Sequence, residues 1–338
     1  MTRTPLDHPF PIPPDAGTTL EVAPGIHWLR MALPFALDHI NLWLLEDGDG
    51  WAIVDTGVND EATRAAWVTV LAGKRVTKLI CTHFHPDHMG LAGWLAQRHQ
   101  VPLTATLGEW SFGRMLTLDV GDDYHANQVE HYRRAGYGED LLAGVRQRSG
   151  AYGTRVAPLP ASISDIRDGS RIIIGGRLWQ VVEGRGHSPQ HACLWCAEAG
   201  VLISGDQVLP RISPIVGVWP QQPDDDPLRD FLTSLDTLKQ LPDDALVLPS
   251  HGLPFLGLHA RCDDLIRHHE TRLTQLLEAA TEPTTALDLA HVLFRRALDP
   301  QQLGFAMGET LAHANCLIER GLLKRDLKDG VWLYVRME

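Results

Sequence analysis

Apolar and polar positions follow two periods along this chain. Short, mainly apolar runs recur at Ile26–Leu29, Asn41–Leu45, Trp51–Val54, Lys78–Cys81, Ser170–Ile174, Trp179–Val182, Val201–Ile203 and Ala245–Leu248. Runs of that length between turn residues predict strands. Helical patterns near Asp60–Ala72 and Gly90–Arg98 are set among them. Strands and helices in succession predict an α/β layered domain.

Two stretches break this rhythm. From Leu103 to Ile166 the pattern turns helical, rich in charge and in aromatics such as Trp110, Phe112, Tyr124, His125, His131, Tyr132, Tyr137 and Tyr152. A long connection with its own helices, at about residues 104–165, suits a lid or substrate wall, or an ordinary helical cap with its own small core. Tyr124 and His125 are its candidate substrate contacts. Beyond residue 258 the chain is helical again, from about Leu258 to Ala280. Thr284 or Thr285 then caps a helix to about Arg296, and Asp299-Pro300 opens a longer one ending near Gly321. Leu322–Val335 reads as a hairpin with Asp329-Gly330 in its turn. Helices followed by a hairpin predict a small winged-helix-like domain over residues 259–338, after a main domain of residues 1–258. The first 20 residues, with Pro5, Pro9, Pro11, Pro13 and Pro14, predict an extended arm.

The chemistry gathers at the ends of the apolar runs. Lys78–Cys81 leads into Thr82-His83-Phe84-His85-Pro86-Asp87-His88, which places three imidazoles and a carboxylate within six residues. These are donor types that suit Zn²⁺, Fe and Mn. Three later runs each deliver one further donor beside a small residue: His187 after Gly186, Asp206 after Gly205, and His251 before Gly252. Glycine there lets the backbone approach a shared centre. Seven candidate ligands are enough for two ions.

The order of these motifs resembles the metallo-β-lactamase superfamily over about the first 258 residues. His83, His85, Asp87 and His88 match its motif of two histidines, an aspartate and a third histidine, and Ala52-Ile53-Val54-Asp55-Thr56-Gly57 matches its early strand ending in Asp-Thr-Gly. The resemblance implies a four-layer αββα fold, with the helical insertion and the C-terminal winged-helix-like domain added. It also implies His83, His85 and His187 on one divalent ion, Asp87, His88 and His251 on a second, and Asp206 bridging them. Asp55 would orient the metal loop without being a ligand. Two such ions would generate hydroxide near neutral pH, with Asp87 passing a proton onward. Zinc is the first expectation; iron and manganese suit the same donors.

Composition narrows the partners. The chain has 338 residues, 30 Lys or Arg against 42 Asp or Glu, and a formal net charge of −12. Residues 259–338 carry ten basic against twelve acidic side chains, so neither part has the basic surplus that phosphate neutralisation demands. Lys324, Arg325 and Lys328 form only a local patch, interleaved with Asp326 and Asp329. A small-molecule substrate is therefore expected ahead of nucleic acid. Five scattered cysteines give no disulfide framework, and Cys193-Leu194-Trp195-Cys196 is a lone pair inside an expected strand. No charged-then-apolar leader and no apolar run near 18 residues is visible, so a cytoplasmic protein without a membrane span is expected, and a homodimer is open to it.

Departures within the family rank the reactions. Asp206 stands where true β-lactamases carry cysteine or serine, and His85 where the diiron oxygen reductases carry glutamate. The ligand set resembles those of hydroxyacylglutathione hydrolase, the acyl-homoserine lactonases and the nuclease branch, while the tail resembles the lactamase-like ribonucleases. Hydrolysis of a thioester or lactone is the leading expectation. A metal-dependent endoribonuclease or phosphodiesterase is the first alternative, and a non-catalytic winged-helix regulator the second.

Overall fold

Both faces of the central strands are covered, which is why their sequences read as unbroken apolar runs rather than alternating ones. The structure, a computed structural model, describes residues 5–35, 37–148 and 150–337. Its first sheet holds β1 (Thr19–Ala23), β2 (Ile26–Ala32), β3 (His39–Asp47), β4 (Gly50–Val54), β5 (Val76–Ile80), β6 (Leu103–Thr106) and β7 (Ser164–Ile166), paired in that order. Strands β1 to β4 pair antiparallel and β4 to β7 parallel. The second sheet has the order β12-β11-β10-β9-β8, from β8 (Arg171–Ile174), β9 (Arg177–Gly184), β10 (His191–Cys196), β11 (Val201–Gly205) and β12 (Leu246–Pro249).

Successive residues of β2 to β5 serve two different cores. Trp28, Trp43, Val54 and Ile80 meet Trp179, Val181, Leu194, Ile203 and Leu248 of the second sheet. Their neighbours Leu29, Leu42, Leu44, Ile53 and Leu79 pack instead with Trp67 and Val70 of α1 (Glu61–Val70) and with Leu95 of α3 (Ala92–His99). The period of two thus makes one sheet the shared wall of both cores. Helix α1 starts where Asp60 accepts the backbone N–H of Thr63. The helix expected near Gly90–Arg98 is α3, and a further short helix, α2 (Pro86–Met89), forms from the metal motif itself, separated from it by Gly90 and Leu91.

Between β6 and β7 lie α4 (Leu107–Leu118), α5 (Asp122–Arg134), α6 (Glu139–Arg148) and α7 (Tyr152–Arg155), which bears out the helical reading of this stretch. The stretch is not one body. One compact unit takes the described residues of Met1–Leu118, Ala151–Pro214 and Asp236–Cys262; the other takes those of Asp119–Gly150, Ile215–Leu235 and Asp263–Glu338. Where the sequence suggests a division at 258/259 and one insertion at 104–165, the compact units group residues 119–150 and 215–235 with those from 263 onward. Long-range packing is the reason. Leu287 N–H donates to Ala135 O at 3.0 Å, Tyr137 Oη donates to Leu303 O at 3.3 Å, and the Arg134 guanidinium lies over the Trp332 ring, 5.8 Å from its centre.

The second unit also holds most of α8 (Pro227–Leu238) and of α9 (Leu258–Ala279), then β13 (Thr284–Thr285), α10 (Ala286–Leu293), α11 (Pro300–Glu319), β14 (Leu323–Lys328) and β15 (Val331–Arg336). Thr285 caps α10 through Asp288 N–H, and Asp299 caps α11 with Pro300 in its first turn. Lys328 pairs with Val331 across Asp329 and Gly330, both at positive φ (51° and 80°), which is the two-residue turn this dipeptide favours. The expected hairpin gains a third strand, since β13 pairs with β15. All five cysteines are buried free thiols, and Cys193 and Cys196 lie in the buried strand β10.

Candidate metal centre

Every expected ligand follows the carboxyl end of a strand. His83, His85, Asp87 and His88 follow β5, His187 follows β9, Asp206 follows β11 and His251 follows β12. Strands β11 and β12 are parallel, and β10 is antiparallel to both β11 and β9, so β9, β11 and β12 run the same way and end at one edge. The two sheets are stitched there by Ala192 N–H donating to Thr82 O at 2.9 Å.

All seven residues converge, in two groups. His83, His85, His187 and Asp206 form one; Asp87, His88 and His251 form the other. In the first, His83 Nε2 lies 3.0 Å from His85 Nδ1 and 3.2 Å from His187 Nε2. In the second, Asp87 Oδ2 lies 3.3 Å from His251 Nε2 and 3.6 Å from His88 Nε2. Asp206 divides its carboxylate between them: Oδ2 is 3.6 Å from His187, and Oδ1 is 3.4 Å from His251 and 3.5 Å from His88.

Neighbouring acceptors set the imidazole tautomers. His88 Nδ1 donates to Asp55 Oδ2 at 2.8 Å, and His251 Nδ1 donates to His39 O at 2.7 Å. Thr82 Oγ1 donates to Asp55 Oδ2 at 2.8 Å and so receives His83 Nδ1–H at 3.0 Å. His88 and His251 therefore turn Nε2 toward the carboxylates, and His83 turns Nε2 toward His85 and His187. His88 Nε2 and Asp206 Oδ1 are buried without a hydrogen-bond partner. Ring nitrogens and carboxylate oxygens that converge in this way need a proton or a metal cation among them, so the residues fit divalent ions.

The electrostatics point the same way. Burial lowers His251, but the Asp206 and Asp87 carboxylates more than offset it and hold the ring at about 10. His88 is likewise raised, burial being overcome by Asp87, Asp55 and Asp206. Burial would raise Asp87 and Asp206, yet the adjacent histidines hold both low and ionised. His85 falls to about 3 through burial and the nearby His187. The site thus draws positive charge toward its carboxylates, and a metal ion would have to displace the protons that His88 and His251 hold there.

Residues outside the ligand set hold this arrangement. Asp55 is fully buried in the left-handed region, at φ 63°, and takes Thr82 N–H at 2.7 Å as well as His88. His191 accepts the backbone N–H of Asp206 at 3.1 Å. Any side chain at Gly205 would strike the His191 ring, since a Cβ there would lie 2.4 Å from it. Asn41 of β3 donates to Pro249 O at 2.8 Å and Gly252 O at 3.0 Å, clasping the His251 turn from the other sheet. Glu109 of α4 is wholly buried beside these loops; burial pushes it up to about 7, against the pull of donors from Gln190, Ser188 and Phe84. Only Asp55 among these is marked by a motif in the sequence.

Tyr124 and His125 belong to α5 in the second unit, with their rings edge to face at 5.8 Å. That unit has its own buried group of His269, Glu309 and His313. There Arg272 already pairs with Glu309 at 2.8 Å, and the His269 and His313 rings face each other at 3.2 Å, a hydrogen-bonded polar core.

A double sheet with clustered histidines and aspartates at one edge defines a hydrolase of the metal-dependent class. The chain belongs to the metallo-beta-lactamase superfamily, matched over residues 36–251, and residues 273–337 match the metallo-beta-lactamase-like C-terminal domain. It is similar to a beta-lactamase domain protein from Burkholderia ambifaria, with 42% identity, 98% of each chain covered and a TM-score of 0.92. A metallo-beta-lactamase family protein from Thermus thermophilus shares 30% identity over 94% of this chain and 100% of its own, with a TM-score of 0.80. Among curated proteins, the beta-lactamase-like protein 2 homolog of Caenorhabditis elegans is 20% identical over 77% of this chain and 72% of its own length. Among the described residues no helix is long and apolar enough to cross a membrane.

Proposed function

We propose that the chain is a dinuclear metal-dependent hydrolase acting on an ester-type bond of a small molecule, a thioester or a lactone. The observation that carries this reading is the division of Asp206, one oxygen toward each ligand group. His83, His85 and His187 would hold one ion, Asp87, His88 and His251 the other, with zinc the first expectation. When bound, such ions activate water near neutral pH and polarise the oxygen that gains charge as the bond is attacked. Asp87, kept ionised by His88 and His251, would take a proton at its carboxylate and pass it to the leaving group. Its side chain, 16% exposed against 10% for Asp206, is the more open of the two carboxylates. Tyr124 and His125 are proposed as substrate contacts.

The nuclease alternative is disfavoured by charge. The net charge is −12, and on the hairpin Arg325 is paired with Asp224 at 2.6 Å and Lys324 with Asp326 at 3.5 Å. A panel of thioesters, lactones, phosphodiesters and single-stranded RNA, offered to zinc-loaded protein, tests the reading. Turnover of a thioester or lactone that a chelator abolishes is expected. Cleavage confined to phosphodiesters or RNA would transfer the assignment to the alternative.

A further inference from the structure

Phe84 lies between two of the ligands, His83 and His85, and both polar groups of its backbone are held by the segment that joins β6 to β7. Its N–H donates to Glu109 Oε2 at 2.9 Å, and its carbonyl oxygen accepts the hydroxyl of Tyr152 on α7. The other Glu109 oxygen, Oε1, accepts Ser188 Oγ at 2.7 Å and Gln190 N–H at 2.6 Å, one and three residues beyond His187. A single carboxylate therefore spans the two loops that deliver His83, His85 and His187. Gly108 N–H donates to Gln190 Oε1 at 2.7 Å, and Thr106 Oγ1 donates to Gln190 O at 2.8 Å, fixing the start of α4 against the same loop. The Phe84 ring packs between these parts, 4.8 Å from Phe112, 6.1 Å from Tyr152 and 4.6 Å from His85.

We propose that Glu109 and Tyr152 are positioning residues for the His83–His85–His187 group, so that the part of the insertion in the first unit serves as a clamp on one half of the metal centre. The proposal rests on the dinuclear reading above. A fold-stabilising role alone accounts poorly for a carboxylate at this place. Glu109 is 0% exposed and its partners are N–H and O–H donors rather than cations, so it carries the full desolvation cost of a buried acid. What it provides in return is three directed hydrogen bonds that set the distance between loops far apart in sequence. The other half of the centre is oriented by Asp55, which holds His88 directly and reaches His83 only through Thr82. The direct hold of Glu109 and that of Asp55 therefore fall on different ligand groups.

Glutamine at 109 would set an amide N–H₂ against N–H and O–H donors, and phenylalanine at 152 would remove one hydrogen bond while keeping the ring. The test is stepwise Co²⁺ and Zn²⁺ titration of metal-stripped full-length protein against a chelating indicator. H187A and H251A identify which step belongs to which group. Glu109→Gln and Tyr152→Phe are expected to weaken the H187A-sensitive step by roughly 10–100-fold and the other by less than about threefold, and Asp55→Asn to weaken the H251A-sensitive step the more of the two. Unchanged steps in both variants would overturn the clamp, as would equal weakening of both steps in parallel with a lower melting temperature. A parent protein that binds two ions while Glu109→Gln leaves both steps alone defeats only this proposal; a parent that takes up no ion defeats the dinuclear reading as well.

Discussion

Asp55 Oδ2 receives the Nδ1–H of His88 at 2.8 Å, and the two side chains are 1% and 0% exposed. The contact decides which nitrogen of His88 faces the other ligands. Asparagine tolerates the left-handed backbone of position 55, so Asp55→Asn changes the acceptor without breaking the turn. A loss of roughly 10–100-fold in affinity for one ion is expected, measured by chelator competition. Retention of full affinity for both ions would show that His88 needs no orienting carboxylate.

Asp206 faces both ligand groups, so its replacement is expected to cost more than that of any ligand confined to one. Asp206→Asn should take up about one ion per chain where the parent takes up about two, and lose at least about 100-fold in turnover. Elemental analysis alongside the rate assay checks this. Normal metal content in this variant would remove the bridging role.

Metal uptake should expel protons. The Nε2 of His251 must be a lone pair to bind an ion, yet Asp206 and Asp87 hold this ring protonated up to about pH 10. Protons and metal compete, so apparent affinity is expected to fall as pH drops from about 8 to about 6. Calorimetric titrations in buffers of different ionisation enthalpy should report net proton release, and a buffer-independent heat would contradict it.

The second unit should be sensitive to acid independently of the metal. Burial, with Arg134 and Arg325 nearby, lowers His131 to about 4, and burial with Arg272 lowers His313 to about 3. Both fall below the ordinary value of 6.5, so the unfolded chain binds more protons throughout that interval. The stability present above about pH 6.5 is therefore lost as pH falls toward about 4, by an amount on the order of 3 kcal/mol per fully buried ring. Urea unfolding at about pH 7.5 and about pH 5 checks the slope, and His131→Phe should flatten it.

The convergence of the seven candidate ligands was legible in the sequence because they follow apolar runs beside small or constrained residues, a pattern visible along the chain. Glu109 was not. It lies in a helix between Gly108 and Trp110, and its role exists only once β6 brings it beside two distant loops. His191 and Asn41 were hidden in the same way, as polar residues within strands that serve a loop of another strand. The helices of the insertion were legible from their period, but their division between two units was not, since it depends on partners such as Leu287 and Leu303 far downstream. Tyr124 and His125, chosen for residue type alone, fall in the second of those units.

The second unit is assembled from three separated stretches, and this gives the chain a history as well as a shape. Tyr137 is made 166 residues before Leu303, the partner of its hydroxyl. During synthesis the segment 119–150 must wait for Leu287 and Leu303, the partners of Ala135 and Tyr137, until almost the whole chain has emerged. A ribosome that stops near residue 258 would thus release more than a hydrolase lacking its tail: it would release one with an unfinished piece of that tail already looped into its middle.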